Sequence, residues 1–94
     1  MNKTEQEIKK IVFNFINPKD YKAFVFGSRA TGKAKKYSDY DIGLVGKKKV
    51  PFLKMALIKD ALEESNLPYS VDVVDFSLVS PSFKKVALLK TKEL

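Results

Sequence analysis

The sequence predicts an α/β (α+β) fold in which a small mixed β-sheet is flanked by helices. Short apolar runs alternate along the chain with amphipathic segments whose apolar residues recur at helical spacing. Proline, glycine and asparagine bound these segments, as they do where helices and strands end. The 94 residues have room for one hydrophobic core, so we expect residues 1–94 to form a single domain.

The first half of the chain predicts a helix and a buried strand. Thr4 and Glu7 have the form of a capping box, and apolar residues at helical spacing follow from about residue 5 to residue 16. Pro18 ends this helix, because the residue before a proline disfavours helical geometry. The apolar run 23–26 stops at a glycine and is typical of a buried strand.

The second half predicts strand, helix, strand and helix in that order. Residues 41–45 form the second strand, a helix starts near Pro51, residues 69–76 form the third strand, and the last helix opens with Pro81 in its first turn. The side chains that we expect to face inward are Leu53, Ala56, Leu57, Ala61 and Leu62 in the first of these helices and Phe83, Val86 and Ala87 in the last, with Leu88 or Leu89 at its edge.

The composition restricts the chemistry, because the chain contains neither cysteine nor histidine. A disulfide framework and a thiolate metal site are excluded, and catalysis has to use carboxylates, hydroxyls, lysine, arginine and bound metal. No apolar run approaches the roughly 20 residues of a membrane span, and the N-terminus lacks the apolar core of a signal peptide. We therefore expect a soluble, cytoplasmic protein that does not bind membranes.

Basic side chains outnumber acidic ones by 18 to 11, for a formal charge of +7. This excess suits an anionic partner such as a nucleotide, a nucleic acid or an acidic protein surface. A solvated, lysine-rich surface is an equally good interpretation, because the lysines are spread over the whole chain. Two clusters stand out, formed by Lys33, Lys35 and Lys36 and by Lys47, Lys48 and Lys49.

Two aspartates separated by one residue, Asp39 and Asp41, introduce the second predicted strand. In extended chain their side chains point to the same face, where two carboxylates repel each other unless a cation lies between them. Mg²⁺ prefers oxygen ligands of this kind. The alternative is a solvated loop at the start of a strand, since Ser38 and Asp39 also favour turns.

A Gly-Ser pair directly follows the first predicted strand. Gly27 lets the backbone approach a ligand, and the hydroxyl of Ser28 with nearby N–H groups can hold phosphate oxygens. Arg29 offers a fork of donors to the same phosphates. The alternatives are an ordinary turn at the glycine and a surface arginine.

The Gly-Ser pair, ten intervening residues and the Asp-Tyr-Asp at 39–41 resemble the signature of the nucleotidyltransferases of the DNA polymerase beta superfamily. The chain is most similar to the minimal nucleotidyltransferases, small single-domain proteins that are often paired with a HEPN-domain partner. The shared pattern covers residues 24–75 and implies the nucleotidyltransferase fold. In one departure, Gly43 stands where the family has a bulky apolar residue, which suggests a bulge or a close backbone approach.

The resemblance implies the roles of the acids. Asp39 and Asp41 match the two neighbouring acids that bind two Mg²⁺ ions in that family. A third acid, on a later strand, shares a metal and helps to deprotonate the attacking hydroxyl, and Asp72 matches its position. Asp75 is the rival, but residues three apart on a strand face opposite sides, so we favour Asp72 as the third catalytic metal ligand.

The resemblance also implies a substrate and a partner. ATP would bind at Gly27, Ser28 and Arg29, and AMP would pass to a hydroxyl acceptor, in some relatives a tyrosine of a HEPN toxin, so that the protein acts as an antitoxin. One alternative is a catalytically silent antitoxin that binds metal or nucleotide and neutralises its partner by contact, through apolar positions of the last helix. The other is a nucleic-acid binder, and no base-stacking or groove-reading motif supports it.

Overall fold

A computed structural model describes residues 1–36 and 38–94. The strands form one mixed sheet in the order β3-β2-β1-β4, and helices flank it, which confirms the predicted fold class. In chain order the elements are α1 (Lys3–Val12), β1 (Tyr21–Phe26), α2 (Ser28–Thr31), β2 (Tyr40–Gly46), α3 (Phe52–Glu64), β3 (Val71–Asp75), α4 (Pro81–Ala87) and β4 (Lys92–Glu93).

The sheet combines antiparallel and parallel pairing. Strand β1 lies antiparallel to β2 on one side and to β4 on the other. Strands β2 and β3 run parallel, and α3 makes the crossover between them, as a parallel pair requires. The start of β2 and the start of β3 therefore lie at the same edge of the sheet, next to the end of β1.

The two faces of the sheet differ in what covers them. Side chains of α1 and α3, including Ile8 and Ile58, pack with Val25 and Ile42 in the main hydrophobic core. The other face carries a small aromatic cluster in which the rings meet edge to face, with centroids about 5 Å apart. The buried members of this cluster are Phe24, Phe26 and Phe76. The second face is thus only partly covered and leaves the starts of β2 and β3 open.

Helix α1 begins and ends earlier than predicted. The N-cap is Asn2, whose side-chain oxygen accepts a hydrogen bond of 2.8 Å from the backbone N–H of Glu5, so the capping box at Thr4 and Glu7 is wrong. The helix ends at Val12, and tighter turns continue as far as Ile16. Apolar residues keep their helical spacing through these turns, which is why the sequence favours a longer helix.

Helix α3 buries only part of the predicted face, since Leu62 is buried and Ala61 packs against the core as predicted. Ile58 and Leu62 are its buried residues, whereas Leu53 is 67% exposed and Leu57 also faces solvent. The prediction that Leu53, Leu57 and Ala56 turn inward is therefore wrong. The helix is apolar on more than one side, so helical spacing alone does not identify the face that packs.

Helix α4 buries none of its residues. The ring of Phe83 reaches the edges of Phe26 and Phe76 but remains 45% exposed, and Val86 is exposed. Of the three side chains predicted to face inward, only Ala87 is half-buried. A helix of seven residues at the margin of a small aromatic cluster has little apolar surface to pack against, so the predicted inward face is wrong.

Two short elements lie outside the predicted set. The turn α2 occupies part of the stretch expected to be a loop, and β4 pairs through its backbone with Phe24 and Val25. Strand β3 is also shorter than predicted, at residues 71–75.

The chain passes Gly43 without a bulge. The residue pairs in regular register with Phe24 on β1 and Val74 on β3. A Cβ atom at this position would collide with the ring of Phe24 and would lie 2.7 Å from Cε1 of Phe76. The glycine therefore makes room for aromatic rings that cross β2, which is the close approach that the sequence suggests.

Candidate active site

The turn after β1 has a backbone that only glycine adopts readily. Gly27 has a φ of +72°, and a Cβ atom there would lie 2.5 Å from Oδ2 of Asp41. Ser28 opens α2, and its carbonyl accepts from the N–H of Lys33 after a second left-handed glycine, Gly32. Both the conformation and the space at Gly27 thus bring the Gly-Ser turn against the carboxylate of Asp41.

Three carboxylates gather at the starts of β2 and β3. Asp41 pairs in register with Asp72, so the two side chains project from the same face of the sheet. Asp39 precedes β2 by one residue and is exposed. The pKa of Asp41 is raised above its ordinary value of 3.8, chiefly because burial disfavours the charged form and then because Asp72 and Asp39 repel its charge. Asp41 is therefore the acid whose ionisation the other two carboxylates disfavour.

These acids fit a hard divalent cation by their chemistry. They supply oxygen ligands alone, and the repulsion that raises the pKa of Asp41 is what a bound cation relieves. Among residues 1–36 and 38–94, no three acidic side chains already surround one metal position. Asp39 and Asp72 are both exposed, so both carboxylates are accessible to a cation that approaches Asp41.

Asp75 lies on the opposite face of β3 and has a different environment. Its carboxylate is buried and accepts hydrogen bonds from the backbone N–H of Val50 at 2.7 Å and from both the N–H and the hydroxyl of Ser77. It joins the segment before α3 to the turn after β3. Of the two rival third acids, only Asp72 shares the face of Asp41.

Arg29 makes contacts that the sequence does not reveal. Its Nη2 and Nε donate to the carbonyl oxygen of Ser38 at 2.7 and 3.2 Å. The central carbon of the guanidinium lies 4.6 Å from the ring centroid of Tyr40 and 4.4 Å from that of Tyr69. These three partners escaped sequence analysis, since one contributes only a backbone carbonyl and the tyrosines carry no motif. A role for Arg29 in binding nucleotide remains a prediction.

The loop that leads into β2 is also held from its other side. The hydroxyl of Ser38 accepts from the N–H of Lys35 at 2.8 Å, and its own N–H donates to the carbonyl of Lys35. The N–H of Tyr40 donates to the carbonyl of Ser70 and starts the parallel pairing. Asp39 therefore lies between two anchored residues although it belongs to no strand.

This arrangement of a Gly-Ser turn and acids on neighbouring strands agrees with the comparison with known protein families. The profile of the family described as "Polymerase beta, Nucleotidyltransferase" matches residues 6–94. The chain belongs to this family and is a nucleotidyltransferase. Members of the family use a nucleoside triphosphate and a divalent metal.

Individual relatives are more specific. The chain is 39% identical over 82 residues to the probable protein adenylyltransferase MntA of Haemophilus influenzae (strain ATCC 51907 / DSM 11121 / KW20 / Rd), an alignment that covers 87% of this chain and 71% of the relative. A solved structure described as a toxin-antitoxin with AMP-PNP superposes with a TM-score of 0.76 at 26% identity, covering 95% of this chain and 70% of the other.

A second solved structure shares the fold. It is a tri-AMPylated Shewanella oneidensis HEPN toxin in complex with an MNT antitoxin, with a TM-score of 0.70 at 24% identity over 96% of this chain and 67% of the other.

In the described part of this chain, no helix is both long and apolar enough to cross a membrane.

Proposed function

We propose that this protein transfers AMP from ATP to a hydroxyl group of a partner HEPN toxin, most simply a tyrosine, and thereby acts as an antitoxin. It does so in the cytoplasm, as a single domain formed by residues 1–94. The observation that carries the proposal is the position of Asp41, which contacts the Gly-Ser turn at Gly27 and faces Asp72 across the β2–β3 pair. A phosphate-binding turn that lies next to metal-binding acids on neighbouring strands suits transfer of a nucleotidyl group.

The proposed roles follow the order of the strands. Gly27 and Ser28, at the end of β1, hold the terminal phosphates. Asp39, Asp41 and Asp72 would hold two Mg²⁺ ions, which would supply Lewis-acid activation and neutralise phosphate charge. The acceptor hydroxyl arrives from the side of β3, opposite the leaving pyrophosphate, as in-line displacement requires.

The transfer balances without a further reagent. A bond forms between the acceptor oxygen and the α-phosphorus, and the bond from that phosphorus to the bridging oxygen of the β-phosphate breaks. Asp72 takes the proton of the acceptor hydroxyl, which a carboxylate within hydrogen-bond reach can do. Pyrophosphate leaves along Gly27 and Ser28.

Two relatives support this proposal. The Haemophilus influenzae protein is described as a probable protein adenylyltransferase, and its identity of 39% spans most of this chain. The solved toxin-antitoxin contains AMP-PNP, an analogue of ATP. The excess of basic side chains is compatible with both an ATP substrate and an acidic partner surface.

The test is incubation with α-labelled ATP, Mg²⁺ and any HEPN protein that is encoded beside this one. We expect the wild type to label that protein. The Asn variant at position 39, Asp39→Asn, should label it at least about 100-fold more slowly than the wild type. Asp60→Asn, an exposed acid on α3, is the matched control because it makes the same change of charge. Equal labelling by wild type and Asp39→Asn would contradict the assignment of Asp39.

Neutralisation by contact alone is the second candidate, and the exposure of α4 favours it. Four large apolar side chains of this region face solvent, as an interface for a partner would. They are Phe83, Val86, Leu88 and Leu89. The double substitution Asp39→Asn with Asp41→Asn separates the two functions, because a contact antitoxin keeps its protective effect and an adenylyltransferase loses it.

A further inference from the structure

We propose that Arg29 is a positioning residue for Asp39 and does not bind the nucleotide. The inference rests on the proposed function, since it concerns how one metal-binding acid is held. It departs from the expectation that Arg29 contacts phosphate. The guanidinium points at the peptide that leads into Asp39, and two of its five N–H donors bond there.

The contacts of Arg29 orient its guanidinium toward Ser38, through two of the five N–H donors and through both tyrosine rings. Nη2 and Nε both donate to the carbonyl of Ser38, which is a fork of two bonds on one oxygen. The rings of Tyr40 and Tyr69 meet at 69° with centroids 5.6 Å apart, and the guanidinium sits in the corner between them. These contacts fix the plane of the guanidinium and direct its Nε and Nη2 edge at the loop that leads into Asp39.

The platform behind Arg29 is rigid. Tyr40 is buried, and its hydroxyl donates to the carboxylate of Glu5 and accepts from the side-chain amide of Asn2. Glu5 is itself buried and receives a hydrogen bond from the ammonium of Lys92. Arg29 is therefore held against a side chain that α1 and its cap bind directly and that β4 supports only through Glu5.

The two hydrogen bonds from Arg29 to the carbonyl of Ser38, called the clamp below, act on Asp39 through the backbone. The carbonyl that Arg29 holds belongs to the peptide unit joining Ser38 to Asp39, so it sets the plane from which the Asp39 side chain departs. Asp41 needs no such support, because it lies within β2 and pairs on both sides. Asp39 is exposed and precedes the strand, so Arg29 supplies the order that the sheet does not.

The experiment measures binding of two probes, Mn²⁺ alone and tripolyphosphate in the absence of metal, by calorimetry. Arg29→Gln and Arg29→Lys are expected to weaken Mn²⁺ binding about tenfold and to leave tripolyphosphate binding within about twofold of wild type. Tyr69→Leu removes one wall of the corner and is expected to weaken Mn²⁺ binding about threefold. Tyr69→Phe keeps the ring and is the matched control, with no change expected.

Opposite results overturn the proposal. If Arg29→Gln weakens tripolyphosphate binding and leaves Mn²⁺ binding unchanged, Arg29 is a phosphate ligand. If Tyr69→Leu binds Mn²⁺ as Tyr69→Phe does, the corner does not position the acid. Should an Arg29 variant fail to fold, this comparison of the two Tyr69 variants still decides.

A failure of the proposed function is distinguishable from a failure of the clamp. If wild type binds no Mn²⁺, the function falls, and the clamp is then read from hydrogen exchange at the amide of Tyr40, which bonds to Ser70. Exchange at least about tenfold faster in Arg29→Gln than in wild type supports the clamp. Equal exchange rates overturn it.

Discussion

Asp41 carries a charge that the metal-free protein holds at a cost. Its pKa is raised by burial and by the charges of Asp72 and Asp39. Because the folded state binds this proton more tightly than the unfolded chain does, stability falls as the pH rises from the ordinary value of 3.8 through the raised pKa. The unfavourable contribution grows as the pH rises above 3.8 and is complete above the raised pKa.

Asp41→Asn should therefore stabilise the metal-free protein at pH 7. We expect its thermal midpoint in EDTA to rise by about 1–3 °C, a small effect because solvent screens a partly exposed group. Added Mg²⁺ should raise the midpoint of the wild type and not that of the variant. Asp60→Asn serves as the control, and a lower midpoint for Asp41→Asn in EDTA would contradict this account.

Substitutions at the two left-handed glycines, Gly27 and Gly32, distinguish the effect of backbone strain from the effect of close contact with Asp41. Gly27→Ala meets both a positive φ and Oδ2 of Asp41, whereas Gly32→Ala has a φ of +78° with open space around it. We expect Gly32→Ala to lower the free energy of unfolding by about 1 kcal/mol and Gly27→Ala by about 2–3 kcal/mol. Urea denaturation measures both.

Mn²⁺ binding adds a second readout to this pair. Gly27→Ala should weaken it because the carboxylate of Asp41 must move, and Gly32→Ala should leave it unchanged. Equal losses of stability in the two variants, with equal Mn²⁺ binding, would show that the close contact with Asp41 is unimportant.

At the scale of elements, β3 carries two acids, Asp72 and Asp75, whose side chains project from opposite faces of the sheet. Asp72 projects from the open face beside Asp41, and Asp75 projects into the core side, where it is the acceptor for Val50 and Ser77. The alternation of side chains along a strand makes this division unavoidable for residues three apart. The proposed catalytic role of Asp72 and the structural role of Asp75 thus belong to opposite faces of one five-residue strand.

Asp75→Ala should lower stability strongly, whereas Asp72→Ala should mainly lower activity. Asp75→Ala leaves the buried N–H of Val50 without its acceptor and should lower the free energy of unfolding by about 2–4 kcal/mol. Asp72→Ala should change it by no more than about 0.5 kcal/mol and should slow AMP transfer at least about 100-fold. Denaturation and labelling of the same two samples provide the check, and a destabilised Asp72→Ala would contradict it.

Elements with strong local signals were predictable from the sequence. The runs that became β1 and β2 are apolar because both faces of these central strands are covered, and the Gly-Ser turn and Asp39-Tyr40-Asp41 form a local motif. The packed faces of α3 and α4 were not predictable, since these helices offer more apolar positions than the sheet can cover. Strand β4 is polar and pairs only through its backbone.

The surroundings of Arg29 lay beyond sequence analysis for a different reason. Its partner Tyr69 is far away along the chain and approaches only because β3 pairs in parallel with β2. Contacts of this kind, set by tertiary pairing, leave no local pattern. The cap at Asn2 is different, because it is a local contact: the Asn2 side chain accepts from the N–H of Glu5, three residues further on, and displaces the expected capping box.

At the scale of the whole molecule, one polar network joins the two ends of the chain. Glu5 of α1 receives Lys92 of β4 at 3.2 Å and also meets the hydroxyl of Tyr40 at the start of β2. The carboxylate is buried while the lysine is about half exposed. Strand β4, only two residues long, thus gains a side-chain attachment to the opposite terminus.

Removal of the lysine tests that attachment. Lys92→Ala leaves the buried Glu5 with neutral partners only and should lower the free energy of unfolding by about 1 kcal/mol, since the exposed half of the pair is screened. Lys90→Ala, exposed and nearby in sequence, should change it by less than about 0.5 kcal/mol. Equal midpoints in urea for the two variants would show that the pair contributes nothing.

The strand order also gives the site a fixed length scale. Neighbouring strands lie about 4.8 Å apart, so the row from β1 through β2 to β3 spans roughly 10 Å from the Gly-Ser turn to Asp72. Backbone hydrogen bonds maintain that distance, whatever side chains the loops carry. In the proposed reaction, the axis along which the nucleotidyl group changes partners would therefore run across the strands, and insertions in the loops could alter the choice of acceptor without altering that axis.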